Sequence, residues 1–283
     1  MFPTFAMLGF AALLSEPRLL AHEEPFAYTR GAQVEAKGEW EVEQWSTLRL
    51  GKKSGSYTAL DFSTEVDYGL TDHLQTALYL NSRYHHLQDV SGGNQTFENH
   101  DEVQFDGISG EFKYQLADPY REPWGFALYI EPGYSRVSRT GGDREDKIEL
   151  EFRAIVEKHF ANDLLIAAFN ATVEPEWERE PGREWSTELD LEWTLGLSLR
   201  LSPTWRLGVE ARVDSSFADA DPEQARYSSF SVGPTLHHSG ESWFCTLALL
   251  PQVFGWPDAP GTAGRNLDNR EQLEIRMKFG FEF

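Results

Sequence analysis

The chain has 283 residues, with 25 basic and 46 acidic side chains and a formal net charge of −21 at pH 7. This acidic excess argues against a protein that binds nucleic acid, because such binding needs a basic surface. The single cysteine, Cys245, excludes an intramolecular disulfide and a cysteine-based metal cluster. The longest apolar run, residues 5–14, is too short for a membrane-spanning helix, which needs about 18 apolar residues.

The beginning of the chain has the pattern of an export signal. Residues 5–14 form a hydrophobic core of signal-peptide length, and Ala21 offers a small residue at a cleavage position. We predict a signal peptide over residues 1–21, followed by a short periplasmic N-terminal segment over 22–34. A buried N-terminal helix is the alternative, because Arg18 follows the apolar run and no Lys or Arg precedes it.

From about residue 35 onward, apolar and polar residues alternate with a period of two. In residues 185–199, Trp193 and Leu195 belong to an apolar face, and the intervening positions are mostly charged or small. A strand with one apolar and one charged face is half-buried. No segment of comparable length has the helical period of 3.6. The sequence therefore predicts an all-β protein.

Twelve alternating segments predict about twelve antiparallel strands, and ten or fourteen remain possible. Tight turns, such as residues 202–204, alternate with longer polar loops, such as 138–146 and 257–269. This up-and-down pattern is typical of a transmembrane barrel, which we predict as one domain over residues 35–283. A soluble periplasmic sandwich or a lipocalin-like barrel is the alternative. The predicted strands are 35–49, 57–69, 73–86, 102–116, 124–137, 147–159, 164–177, 184–200, 205–216, 226–238, 243–256 and 270–283.

The apolar faces are more consistent with contact to lipid than with a soluble core. Many predicted strands exceed the usual soluble strand of about 5–6 residues, and their opposite faces carry dense charge. Tryptophans also cluster at strand ends, as in the aromatic girdles of membrane barrels. Trp124, Trp205 and Trp243 follow short turns, and Trp177 and Trp185 flank a loop at the other end.

The last strand ends in Phe279-Gly280-Phe281-Glu282-Phe283, which resembles the insertion signal of Gram-negative outer-membrane β-barrels. Residues 67–74 also resemble the periplasmic turns of that family. The resemblance implies that Phe279, Phe281 and Phe283 are recognised by the barrel-assembly machinery, which would be a partner together with outer-membrane lipid. The chain looks most like the uncharacterised transporter-like or porin-like barrels of about twelve strands. We expect a monomer in the outer membrane with both termini periplasmic.

If the apolar faces contact lipid, the charged faces line the lumen. Acidic residues outnumber basic ones there, and a lumen lined by carboxylates attracts cations. The alternative is a self-neutralising ladder, in which Glu192 pairs with Arg212 and side chains fill the barrel. The hypothesised selectivity cluster comprises Glu149, Glu151, Glu188, Asp190, Glu192 and Arg212.

Other kinds of site have weaker sequence support. His85, His86 and His100 flank one long loop and are candidate ligands for Zn²⁺ or Cu²⁺, but no metal-ligand spacing repeats. We therefore predict no metal site and no cofactor. The neighbours His238 and Ser239 would point to opposite faces of a strand, which is poor geometry for a base and its nucleophile. We accordingly predict that the protein is not an enzyme.

The sequence favours an outer-membrane channel for passive diffusion of small polar solutes, neutral or cationic, through an acid-lined lumen. The alternatives are a structural or adhesive barrel without an open pore and an outer-membrane enzyme.

Overall fold

The structure, a computed structural model, describes residues 24–92, 95–258 and 261–283. The predicted signal peptide over residues 1–21 lies outside the described residues. No helix long and apolar enough to cross a membrane occurs in the described part of the chain.

Twelve long antiparallel strands form a closed barrel, which confirms the predicted fold class. Each strand pairs with its neighbours along the chain, and the first strand closes the barrel against the last, with Leu50 opposite Leu273. Two further short strands, β4 and β5, form a hairpin in the loop before β6. The strands are β1 (Trp40–Leu50), β2 (Ser56–Thr71), β3 (Leu74–Gln88), β4 (Ser91–Gly92), β5 (Gln95–Thr96), β6 (His100–Ala117), β7 (Gly125–Val137), β8 (Arg144–Phe160), β9 (Leu165–Arg179), β10 (Ser186–Arg200), β11 (Trp205–Ala218), β12 (Ala225–Ser239), β13 (Trp243–Trp256) and β14 (Leu273–Glu282).

The polarity of the barrel wall is the reverse of that in a water-soluble protein. Along β10, the side chain of Trp193 is on the outside with 49% of its surface exposed, whereas Thr194 faces inward with 2% exposed. The same alternation continues along the other long strands. An apolar exterior around a polar interior requires lipid as the surrounding solvent. The end with the short turns and both barrel termini is the periplasmic end in barrels of this plan.

The N-terminal segment departs from the prediction of a periplasmic location. Residues 24–35 lie inside the barrel, mostly buried, and β1 begins at Trp40 rather than at residue 35. Gly69 at the end of β2 permits this entry, since a Cβ there would lie 2.0 Å from the carbonyl oxygen of Ala36. Inward-facing carboxylates and amides bind the backbone of residues 24–35 and thereby replace the hydration that it would have in the periplasm.

The loop before β14 also folds toward the interior. We predicted that the last strand would begin at residue 270, but β14 begins at Leu273. Arg270 and Glu271 instead form ion pairs with residues of the barrel wall and neighbouring loops. Residues 270 and 271, which we predicted as the start of a strand, thus contribute side chains to the lumen.

Candidate functional site

The barrel encloses a polar cavity of about 320 Å³, which we call the chamber. Tyr28 and Arg30 of the N-terminal segment lie at one end of it, and inward-facing side chains of the strands form its wall. The lining contains eight carboxylates and eight basic groups. The carboxylates are Glu131, Glu149, Glu151, Glu174, Glu176, Asp190, Glu192 and Asp214, and the basic groups are Arg30, Arg83, Arg139, Lys147, Arg153, Arg212, Arg270 and Arg276.

Residues 24–35, which we call the floor, close the periplasmic half of the lumen. The backbone amides of residues 27–29 each donate a hydrogen bond of 2.8 Å to the carboxylate of Glu210. The side chain of Asn170 accepts from the amide of Arg30 at 2.6 Å and donates to its carbonyl at 2.9 Å. A segment without regular secondary structure can lie in the barrel because wall side chains satisfy these backbone groups.

The side chain of Arg30 is the main charged anchor of the floor. Its guanidinium donates a hydrogen bond of 2.7 Å to the hydroxyl of Tyr79 and lies 4.5 Å from the ring centre of Trp45. A buried charge is tolerated only with close partners. Arg30 has three carboxylate partners, Glu24 at 3.7 Å, Glu65 at 3.4 Å and Glu111 at 3.5 Å.

Apolar and ionic contacts complete the floor. Phe26 is 1% exposed and packs on Gly196 of β10, where a Cβ would lie 2.6 Å from the ring. Glu24 forms ion pairs with Lys278 at 2.9 Å and with Lys113 at 3.4 Å. The floor therefore contacts strands around the whole barrel.

Ion pairs span the extracellular end of the lumen. Arg139, in the loop between β7 and β8, reaches Glu274 at 3.3 Å and Glu271 at 3.6 Å. β8 and β14 are six strands apart in a ring of twelve, so these contacts cross the barrel diameter. We call this contact of Arg139 with Glu271 and Glu274 the roof.

Lys52, beside the roof, and Glu271, within it, are loop residues with shifted pKa values. Burial lowers the pKa of Lys52 to about 8, although the nearby Glu271 carboxylate opposes this shift. Burial also acts against the Glu271 anion, but Lys52, Arg139 and Arg49 together hold the pKa of Glu271 well below its usual value. Glu271 is therefore ionised and available to the roof at neutral pH.

The six predicted selectivity residues all face the interior, and most of them are paired. Glu149 lies 2.9 Å from Lys147, Glu151 lies 2.8 Å from Arg153, and Glu188 pairs with Arg226. The predicted contact between Glu192 and Arg212 is long, at 3.9 Å, because Arg212 binds Glu274 at 2.8 Å. A ladder of ion pairs thus neutralises much of this cluster.

Three chamber carboxylates lack such a partner. Among the described residues, Glu131, Glu174 and Asp190 have no basic side chain within 4.0 Å. On the basic side, Arg276 has no carboxylate within that distance and binds Thr47 and a floor carbonyl instead. After pairing, the chamber therefore retains an acidic surplus on β7, β9 and β10.

The selectivity hypothesis omitted Glu131 and Glu174. The inward face of β7 also carries Ala127 and Tyr129, so its alternation does not reveal which face is polar. Glu174 lies on a recognisable charged stripe, but its lack of a basic partner depends on contacts between strands.

The candidate metal-binding histidines do not converge. His85 points inward, and its Nε2 lies 3.1 Å from the carbonyl oxygen of Arg139, whereas His86 lies near Asp101 at 3.5 Å. His100 lies 3.1 Å from Asp143. Ligand atoms of Glu98, His100 and Asp143 lie within 4.8 Å of one another, so the structure adds Asp143, from another loop, to two residues that flank the same long loop in the sequence.

These features define an integral outer-membrane β-barrel, and similar solved structures agree. The COG4313 outer-membrane channel from Pseudomonas putida F1 matches with a TM-score of 0.57 and 11% identity, over 89% of this chain and 98% of that one. The β domain of the Bordetella autotransporter BrkA matches with a TM-score of 0.51 and 11% identity, over 87% and 99%. The protein lies in the outer membrane, as predicted.

The chain belongs to a family of unknown function, DUF6662, whose sequence model matches residues 18–283. No curated protein sequence matches the chain at a significant level. The outward-facing Phe279 and Phe281 and the terminal Phe283 lie at the seam between β14 and β1. Their recognition by the assembly machinery stays a prediction, as do the monomeric state and the absence of enzymatic activity.

Proposed function

We propose that this protein is a gated outer-membrane channel for small polar solutes, with a preference for neutral and cationic ones. The observation that carries the proposal is the chamber, in which unpaired carboxylates lie between two non-covalent closures. The floor closes its periplasmic end and the roof spans its extracellular end.

Like charges face each other across the strands of the chamber wall. Glu131 lies opposite Glu151, and Glu174 lies opposite Asp190 in the strand register. Like charges directly opposite each other destabilise a sheet. A passing cation would relieve this repulsion and replace part of its hydration shell with carboxylate oxygens. This reduced repulsion between carboxylates is the physical reason for the proposed preference for cations.

The floor has the properties expected of a gate. It is held by hydrogen bonds, ion pairs and packing, and β1 begins only at Trp40. Its departure would therefore break none of the strand pairing that closes the barrel. The remaining lumen would be lined by polar side chains, including Glu210, Glu65 and Glu111.

Single-channel recording in a planar bilayer tests the gate. Ala27 of the floor and Ala248 of β13 pack in one buried cluster, so we choose Ala27→Cys with Ala248→Cys as a disulfide pair and check its formation by thiol titration. The variant is made with Cys245→Ala, which removes the only natural thiol. We expect the oxidised protein to stay closed and the reduced protein to open as the wild type does. Ala27→Cys alone is the matched control.

The principal alternative is a structural or adhesive barrel, which the two closures also favour. It predicts no conductance steps from the wild type, the reduced variant or a variant in which Gly-Ser repeats replace residues 24–35. That result would overturn the channel proposal.

A further inference from the structure

Three outward-facing arginines lie at the extracellular ends of the neighbouring strands β7, β8 and β9. Arg136, Arg144 and Arg179 alternate there with inward-facing residues and therefore point toward the membrane. Tyr134 is 41% exposed on the same outer face, at the position of an interfacial aromatic residue. The arginines thus lie at the level of the lipid headgroups.

Two of these arginines lack a carboxylate partner. Among the described residues, neither Arg136 nor Arg144 forms an ion pair. Arg179, in contrast, donates a hydrogen bond of 2.6 Å to Asp146, which also accepts one of 2.7 Å from the Tyr134 hydroxyl. Asp146 therefore fixes the position of Arg179 and leaves the other two guanidinium groups available.

The loop between β9 and β10 extends this basic surface. Arg183 lies with Arg144 and Arg179 around a surface cleft of about 500 Å³, whose lining also includes Glu145 and Asp146. Arg183 is held by Glu180 at 2.7 Å, and the Arg179 guanidinium lies 4.7 Å from the ring centre of Trp185. Partly fixed guanidinium groups thus surround a concave surface.

The chain as a whole has a net charge of −21. Unpaired arginines that face lipid therefore add nothing to its solubility in water. A guanidinium group binds phosphate oxygens through two parallel hydrogen bonds, which makes arginine well suited to phosphate recognition. In the outer leaflet of an outer membrane, the phosphates at this depth belong to glycolipid headgroups. We propose that Arg136, Arg144 and Arg179 bind a phosphate of an anionic glycolipid in the outer leaflet. The inference rests on the outer-membrane location and does not depend on the channel proposal.

Titration of the folded, detergent-purified protein tests this inference. The probes are bisphosphorylated lipid A, the same lipid without phosphates, and inorganic phosphate. We expect the wild type to bind the phosphorylated lipid at least about tenfold more tightly than the dephosphorylated one. We expect Arg136→Gln with Arg144→Gln to lose that preference.

The matched control is Arg121→Gln with Lys158→Gln, which removes the same charge at the periplasmic end. We expect this control to bind like the wild type. Heat-modifiable migration on gels verifies folding, and the single variants replace the double one if it does not fold.

Three results would overturn the inference. One is equal affinity of the wild type for both lipids, and another is an equal loss of affinity in the control. The third is displacement of the lipid by an equal concentration of inorganic phosphate, because it would identify free phosphate as the ligand.

Discussion

The floor and the chamber use the same kind of side chain in different ways. In the floor, the Glu210 carboxylate is bound by three backbone amides and the Thr235 hydroxyl. In the chamber, Glu174 and Asp190 lie opposite each other without a basic partner. An inward-facing carboxylate can thus fix a segment of the chain, or it can remain available to a solute. Its role depends on what lies beside it.

Glu210→Ala is expected to have the largest effect on this comparison. It removes the shared acceptor of residues 27–29, at a cost of about 3 kcal/mol to the closed state. We expect a roughly 100-fold higher ratio of open to closed channel in single-channel records. Glu188→Gln, near the extracellular end of β10, is the control and should leave the ratio unchanged. An unchanged ratio in Glu210→Ala would show that the floor does not gate.

Gly196→Leu tests the packing of the floor rather than its hydrogen bonds. The new side chain overlaps the ring of Phe26, and overpacking of this kind costs about 1–3 kcal/mol. We expect a roughly tenfold rise in open probability and faster proteolysis of residues 24–35. In a Phe26→Ala background, Gly196→Leu should have little further effect. If it has the same effect there, the strain lies in β10 itself.

Neutralising the unpaired carboxylates tests the chamber. The variant combines Glu131→Gln, Glu174→Gln and Asp190→Asn. Its ion selectivity is measured from the reversal potential under a salt gradient. Each charge within about 4 Å of a passing ion changes the local cation concentration by about fivefold in water. We therefore expect cation selectivity to fall several-fold.

A paired set in the same wall provides the control for this change. Glu151→Gln with Arg153→Gln removes an ion pair and leaves the net charge unchanged. We expect little change in selectivity. If the two variants lose selectivity equally, pairing is irrelevant and the sequence-based cluster of Glu149, Glu151, Glu188, Asp190 and Glu192 is the better description.

The contrast between wall and lumen also explains what the sequence could predict. Strand alternation depends on neighbours in the chain, so the twelve strands and the inward direction of Glu188, Asp190 and Glu192 were predictable. Residues 24–35 have no such period, and their position depends on distant partners such as Glu210 and Asn170. Contacts that join residues more than a hundred positions apart have no local signature.

The same limit applied to the pairing of the lumen charges. The pattern of the strand faces predicted the acidic excess in the lumen. It did not predict that Arg212 pairs with Glu274 instead of Glu192, because that pairing follows from the closed geometry of the barrel. The roof is similar, because Arg139 and Glu271 are distant in sequence and come from loops.

We expect the smallest effect on conduction from the substitution Lys52→Met, because Lys52 lies beside the roof. Its pKa is about 8 in the folded protein and 10.5 for the free side chain. The unfolded chain therefore binds more protons between these values, and the free energy of unfolding should rise with pH there, by up to about 1.4 kcal/mol per pH unit. Lys52→Met lacks this contribution. Urea unfolding of the wild type and of Lys52→Met at pH 7 and pH 10 measures how much of the pH dependence of the free energy of unfolding comes from Lys52. Equal pH dependence in the two proteins would show that Lys52 titrates normally.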